Sequence, residues 1–111
     1  MALCWVKPGW CNYETSLDSA VKDHETMILS IETPCPHIQE FANAVREIRF
    51  REEVEKRLMD TQVYDAASRW IPCVGCPVPA AILKLVEVET GTHPTADTII
   101  KFLHFHDSLK S

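Results

Sequence analysis

The sequence contains no apolar run approaching the roughly 20 residues of a membrane-spanning helix. Its opening stretch, Met1-Ala2-Leu3-Cys4-Trp5-Val6-Lys7-Pro8, lacks the basic-then-apolar order of a secretory signal. The two absences predict a cytoplasmic protein with no membrane contact. A basic surplus is also missing: sixteen acidic against eleven basic side chains leave a net charge of −5, so the fold-wide footprint for a phosphate backbone is absent and nucleic acid is not an expected partner. There is no internal repeat, low-complexity stretch or linker. The 111 residues therefore read as a single α+β domain, 1–111, and a chain of this size buries roughly 60–70% of its unfolded surface without disulfide staples.

With 46% hydrophobic and 24% charged residues, the composition is that of an ordinary globular protein. Apolar residues at period two (Met27, Leu29, Ile31) predict a strand over Thr26 to Thr33, and the sparser set Tyr13, Leu17, Val21 predicts a half-buried strand over Asn12 to Val21. Lys22-Asp23-His24-Glu25 joins them as a polar turn, although no Asn-Gly type of signal is present. After Pro36 the period changes. Ile38, Phe41, Ala42, Val45 and Ile48, then Phe50, Val54 and Leu58, fall at helical spacing, as one long helix or two joined near Arg49. Thr61 is placed to cap a third helix that Pro72 ends. Pro79 is placed to open a fourth, which Gly91 stops, and Cys76 and Val78, each before a proline, are expected to be extended. Residues 98–105, with Ile99, Ile100, Phe102 and Leu103, predict a last strand. The expected order is β-β-α-α-α-α-β: a small antiparallel or mixed sheet, made of the β-hairpin plus a C-terminal strand, with helices packed on one face.

The five cysteines carry the chemistry. In a chain that is not secreted they are reduced thiols, and an odd number argues against a complete disulfide framework. Cys11 precedes the first predicted strand and Cys35 follows the second. If the hairpin pairs about residue 23, their midpoint, the two become cross-strand neighbours at its open end. Cys73-Val74-Gly75-Cys76 is a C-x2-C pair, the spacing at which a tight turn aims two sulfurs at one ion. The helix beginning at Pro79 would point its positive end at this loop and favour a thiolate or an anionic cluster by ~0.3–1 kcal/mol. Cys11, Cys35, Cys73 and Cys76 thus supply four thiolates, the set required for an iron–sulfur cluster or for zinc. Cys35-Pro36 and Cys76-Pro77 echo the cysteine–proline pairs found beside iron–sulfur clusters, whereas structural zinc generally uses two C-x2-C knuckles and only one is present. Electron transfer or cluster delivery is the role this predicts, with a zinc-binding structural or interaction module as the alternative.

Plainer readings stand beside this one. Cysteine also serves as a small core residue. A metal-free thiol-redox pair would need Cys76 inside a helix, and Pro77 and Pro79 keep it out. Trp10 and Trp70 can shield a cluster or simply be rim aromatics. His37 is a candidate substitute ligand or a helix-start residue. The sequence does not place His24, His93, His104 or His106 beside a thiol, and no catalytic set emerges. Glu87 and Glu89, two apart on a helix, do not face each other. The mixed-charge stretch Arg46 to Arg57, in which arginines alternate with Glu47, Glu52, Glu53 and Glu55, reads as a solvated helix face that could also dock a protein partner.

Residues 73–91, Cys-Val-Gly-Cys-Pro-Val-Pro-Ala-Ala-Ile-Leu-Lys-Leu-Val-Glu-Val-Glu-Thr-Gly, resemble a family of small, functionally uncharacterised, cysteine-containing proteins from anaerobic bacteria and archaea. The family pattern is matched by Gly9-Trp10-Cys11, by Cys35-Pro36, by the tyrosine-bearing helix Val63-Tyr64-Asp65-Ala66-Ala67-Ser68 and by Cys76-Pro77-Val78-Pro79. The resemblance implies a site built from Cys11, Cys35 and Cys76, with the fourth position left to Cys73, water or a substrate. It brings no reaction with it.

Overall fold

The computed structural model describes residues 2–103. Three strands open the chain: β1 (Ala2–Val6), β2 (Thr15–Val21) and β3 (Met27–Glu32). Helix α1 (Pro36–Ala44) follows, then a two-residue strand β4 (Glu47–Ile48), a short helix α2 (Phe50–Glu53), a 3₁₀ turn (Leu58–Asp60), and helices α3 (Gln62–Trp70) and α4 (Val78–Thr90). The sheet is antiparallel throughout, in the order β1-β2-β3-β4. This is an α+β fold. Its inward residues alternate along each strand (Val6; Thr15, Leu17, Ser19; Met27, Leu29) and are buried by the helices. The opposite face shows Leu3, Trp5, Ser16, Ala20, Ser30 and Glu32 to solvent.

The period-two pattern decided the hairpin, and β2 pairs with β3 as expected. Its turn works without Asn-Gly because Asp23 Oδ1 accepts the backbone N–H groups of Glu25 and Thr26, both at 2.9 Å, a side-chain substitute for a backbone turn. The Glu25 amide chiefly, and the Thr26 amide with it, hold the Asp23 carboxyl below the usual carboxylate range.

Four expectations are corrected. The strand completing the sheet on the β2 side is β1, at the start of the chain, and residues 98–103 form no strand; residues 104 and 105 of the expected strand lie outside the described residues. Helical spacing after Pro36 breaks at Val45 to Arg49. There the Leu29 N–H donates to the Arg46 carbonyl at 2.8 Å and Met27 pairs with Ile48, so the chain satisfies the open edge of β3 instead of continuing the helix. Val45 and Ile48 are fully buried, and both backbone states point them inward, which is why the periodicity did not reveal the break. The β2–β3 register centres on residue 24, as in Leu17 opposite Ile31, rather than 23. Finally, Val78 is not extended. It is the first residue of α4, and Pro79 is the second, where a missing N–H costs nothing.

Other boundaries fall where local chemistry put them. Thr61 Oγ1 accepts the Tyr64 N–H at 3.1 Å and caps α3. Gly91, at φ +78°, ends α4, with its own N–H on the Val88 carbonyl and the Thr92 N–H on that of Glu87. The core between sheet and helices is one cluster. Phe41, Leu17, Met27, Ile48, Val63 and Ile82 are all at 0% exposure, and burying each such side chain contributes about 1.5–3 kcal/mol.

Candidate metal centre

Each of the four cysteines named from the sequence sits where a regular element starts or a turn reverses the chain. Cys11 lies in the β1–β2 loop. The loop turns between Gly9 (φ +95°) and Asn12 (φ +61°), closed by the Asn12 N–H on the Gly9 carbonyl at 3.0 Å. That turn pushes both Trp10 and Cys11 into solvent. Cys35 is the N-cap of α1: its carbonyl accepts the Gln39 N–H at 3.0 Å, and its own N–H donates to Thr33 Oγ1 at 3.1 Å. The Thr33 hydroxyl is 2.9 Å from that of Thr15, which lies 3.1 Å from the Tyr13 carbonyl. This hydroxyl chain binds the loop after Cys11 to the loop carrying Cys35. It is the link the ladder does not provide, since β2 and β3 end before either cysteine.

Cys73 and Cys76 span a tight turn in which the Cys76 N–H donates to the Cys73 carbonyl at 3.1 Å. Cys73 is exposed. Cys76 is half-buried against the core, two residues before α4 begins. Burial pushes the Cys76 thiol above its ordinary value. A hydrogen bond from the Val78 backbone N–H acts in the opposite sense, and the neighbouring Cys73, Cys35 and Cys11 add to the rise. Those three thiols are therefore within electrostatic reach of Cys76. The thiols come from three stretches of chain: the β1–β2 loop, the start of α1, and the turn that carries both Cys73 and Cys76.

Two of these sulfurs lie at helix N-termini, Cys35 on α1 and Cys76 on α4. Neither helix has a side-chain cap or an acidic residue in its first turn. The positive ends are free to favour a thiolate or another anion there. The sequence pointed to this for α4 and Cys76. For Cys35 the same signal, a cysteine immediately before Pro36 and a helical period, was present and went unread.

All five cysteines are free thiols. Among the described residues no three His, Cys, Asp or Glu side chains stand at the spacing of a formed metal site. Cys4 is apart from the four, on the inner face of β1, where burial first and Asp97 second raise its thiol. His24, His37 and His93 are exposed, and His104 and His106 lie outside the described residues. Glu89 accepts from Ser19 Oγ at 2.8 Å whereas Glu87 stands 3.5 Å from His93, so these two carboxylates do separate things. The sequence reading missed Glu53 altogether. Placed among solvated charges, it is only 2% exposed, and its two oxygens accept the N–H groups of Gln62 and Val63 at 2.9 and 3.0 Å. It caps the start of α3 from α2, nine and ten residues away, a distance at which no local capping pattern operates. A cleft of about 210 Å³ lies elsewhere, between α4 and the chain after it, and holds none of the four thiols.

The chain belongs to a family of unknown function, DUF6951. The match runs over residues 3–102 and so spans all four thiols and every described element but the first residue of β1. No curated protein and no solved structure matches it at a significant level. No described helix is long and apolar enough to cross a membrane.

Proposed function

We propose that this DUF6951 protein is a cytoplasmic carrier that holds an iron–sulfur cluster on Cys11, Cys35, Cys73 and Cys76 and delivers it to an acceptor protein. The observation that carries the reading is the way the thiols are held in pairs: hydroxyls of Thr15 and Thr33 tie the loop after Cys11 to Cys35, and one tight turn holds Cys73 and Cys76. Four sulfurs with no disulfide, two at uncapped helix N-termini, suit an anionic cluster held by thiolates. When bound, such a cluster supplies a unit of iron and sulfide that thiol exchange can pass on.

The chain's own residues do the holding. Cys35 and Cys76 are the anchored pair, fixed by α1 and by the start of α4 against the core. Cys11 and Cys73 are the accessible pair, on turns open to solvent. Delivery fits this division better than permanent electron transfer, because an acceptor thiol can displace an exposed ligand, whereas electron transfer favours a cluster sealed from water. The resemblance to proteins of anaerobes agrees with an oxygen-sensitive cargo. The negative overall charge disfavours a phosphate backbone and leaves a protein acceptor as the expected partner.

Zinc on the same four thiols, in a structural or docking role, is the competing assignment, since the Cys73–Cys76 turn has the form of a zinc knuckle. Anaerobic purification followed by elemental analysis separates the two. A brown protein with iron and acid-labile sulfide, both lost in Cys35→Ser and Cys76→Ser, is the expected result. A colourless protein with stoichiometric zinc would overturn the cluster. A metal-free dithiol that cycles with a reductant would overturn both assignments.

A further inference from the structure

We propose that the chain pairs with a second copy of itself by exchanging its C-terminal segment, residues 98–103 of one copy adding as a strand to the free edge of β1 in the other. Two unsatisfied features of one molecule carry this, and each supplies what the other needs.

The first is the edge. β1 is the outermost strand, hydrogen-bonded only to β2, and among the described residues no backbone bond is made on its other side. An open edge is a ready template for another strand, and soluble proteins ordinarily blunt it with charge, proline or a bulge. Ala2-Leu3-Cys4-Trp5-Val6 contains no charge and no proline. Its outward side chains, Leu3 and Trp5, are 77% and 61% exposed.

The second is the segment. Ile99, Ile100, Phe102 and Leu103 are each at least 79% exposed, and Lys101 is the one charge among them. These are strand-forming residue types, and the sequence carries a strand signal here. What is missing is a partner, since a strand cannot satisfy its backbone alone. The body of the same copy does not cover the segment. Gly91 turns the chain off α4, and it passes β1 at Asp97, near enough to oppose ionisation of the Cys4 thiol. Beyond that point residues 98–103 leave without pairing to any described strand.

A second copy is the occupant that answers both features at once. Each copy donates one segment and accepts one, giving two equivalent contacts about a two-fold axis, which closes and so does not propagate into a filament. Five residues of β1 and six of the segment make eleven per copy, fewer than the ~20–30 per side of a standard interface. The association is therefore weak and concentration-dependent. It does not rest on the metal assignment.

The test is sedimentation of the full chain over a concentration series, read with hydrogen exchange at residues 2–6 and 98–103. The expected result is a monomer–dimer equilibrium in which both stretches gain protection together as concentration rises. Ile100→Asp with Phe102→Asp should stay monomeric at every concentration and melt like the parent, because both side chains are more than four-fifths exposed in their own copy. Leu3→Lys, also at an exposed position, should lose the dimer with its tail intact. Mixing the two variants should restore one contact and a measurable heterodimer, since each retains the half the other lacks. A parent chain that is monomeric throughout would overturn the proposal. So would a dimer that survives in the double variant, or protection of residues 98–103 that ignores concentration.

Discussion

The two ends of the sheet are built on opposite plans. At the β2–β3 turn the chain is tied by side chains. Lys22 bonds Glu47 at 2.8 Å, Arg49 reaches both Glu25 and Glu52, and Arg51 donates to the His24 carbonyl at 2.6 Å. Nearby, Glu53 and Thr61 between them cap α3. Toward the other end such ties are sparser, the Arg69–Asp65 pair on α3 being one. Helices α1 and α4 begin without side-chain caps, the loops carry exposed Trp10 and Val74, and the polar links include the Thr15–Thr33–Cys35 chain and the Gln39 side chain on the Thr33 carbonyl. One end spends its polar groups on itself, and the other keeps amides and thiols available. Groups that folding leaves unsatisfied are those a ligand could engage, and the proposed site lies among them.

Glu53→Ala should be the most damaging way to break the comparison. It strips two N–H groups, that of Val63 buried and that of Gln62 partly so, of their acceptor at the tied end, and chemical denaturation should show a loss of about 2–4 kcal/mol. Glu53→Gln, which keeps one acceptor oxygen, should recover part of that loss. Thr61→Ala removes a single cap and should cost about 1 kcal/mol in the same measurement.

At the thiol end, effects on stability shrink and effects on chemistry grow. Cys11→Ser and Cys73→Ser, both exposed, should change stability by less than about 0.5 kcal/mol while abolishing stable metal retention. Equal metal content in parent and variants would show that these thiols are not ligands.

Cys76 gives a pH test. Its thiol is raised in the folded state, so the folded chain holds that proton more tightly than the unfolded chain. The associated stability is fully present below the ordinary thiol value and is lost as pH climbs through the raised one. A metal-free melt should therefore decline above about pH 9, and less steeply in Cys76→Ala. Alkylation near neutral pH should label Cys11 and Cys73 before Cys76. The smallest effect should come from Arg49→Ala. Its partners are all solvent-exposed, and a melt at moderate salt should not distinguish it from the parent.

Particular residues show how much was legible in advance. Met27, Leu29 and Ile31 announced β3, Thr61 announced its helix and Gly91 announced the end of α4, because each signal is complete within a few residues. The C-x2-C turn was visible for the same reason. Cys11 and Cys35 were expected as cross-strand neighbours about residue 23, and the ladder reaches neither of them. The hairpin centres on residue 24, and the two loops are joined by hydroxyls rather than by a ladder. Glu53 was unreadable because its partners lie on the next helix, and the break at Val45 was hidden because a helix and a bent edge strand bury the same side chains.

By itself the sequence determined the α+β class and, to within about a residue, the limits of β3, α3 and α4. Periodicity, capping and turn chemistry act over a few residues and need no knowledge of the rest of the chain. Tertiary structure alone decided that β1 closes one side of the sheet while residues 98–103 stay unpaired, that residues 45–49 leave the helix to serve β3, and that Glu53 is a buried cap. Backbone pairing and burial are settled by whichever distant partner is free, and that partner exists only once the chain has folded.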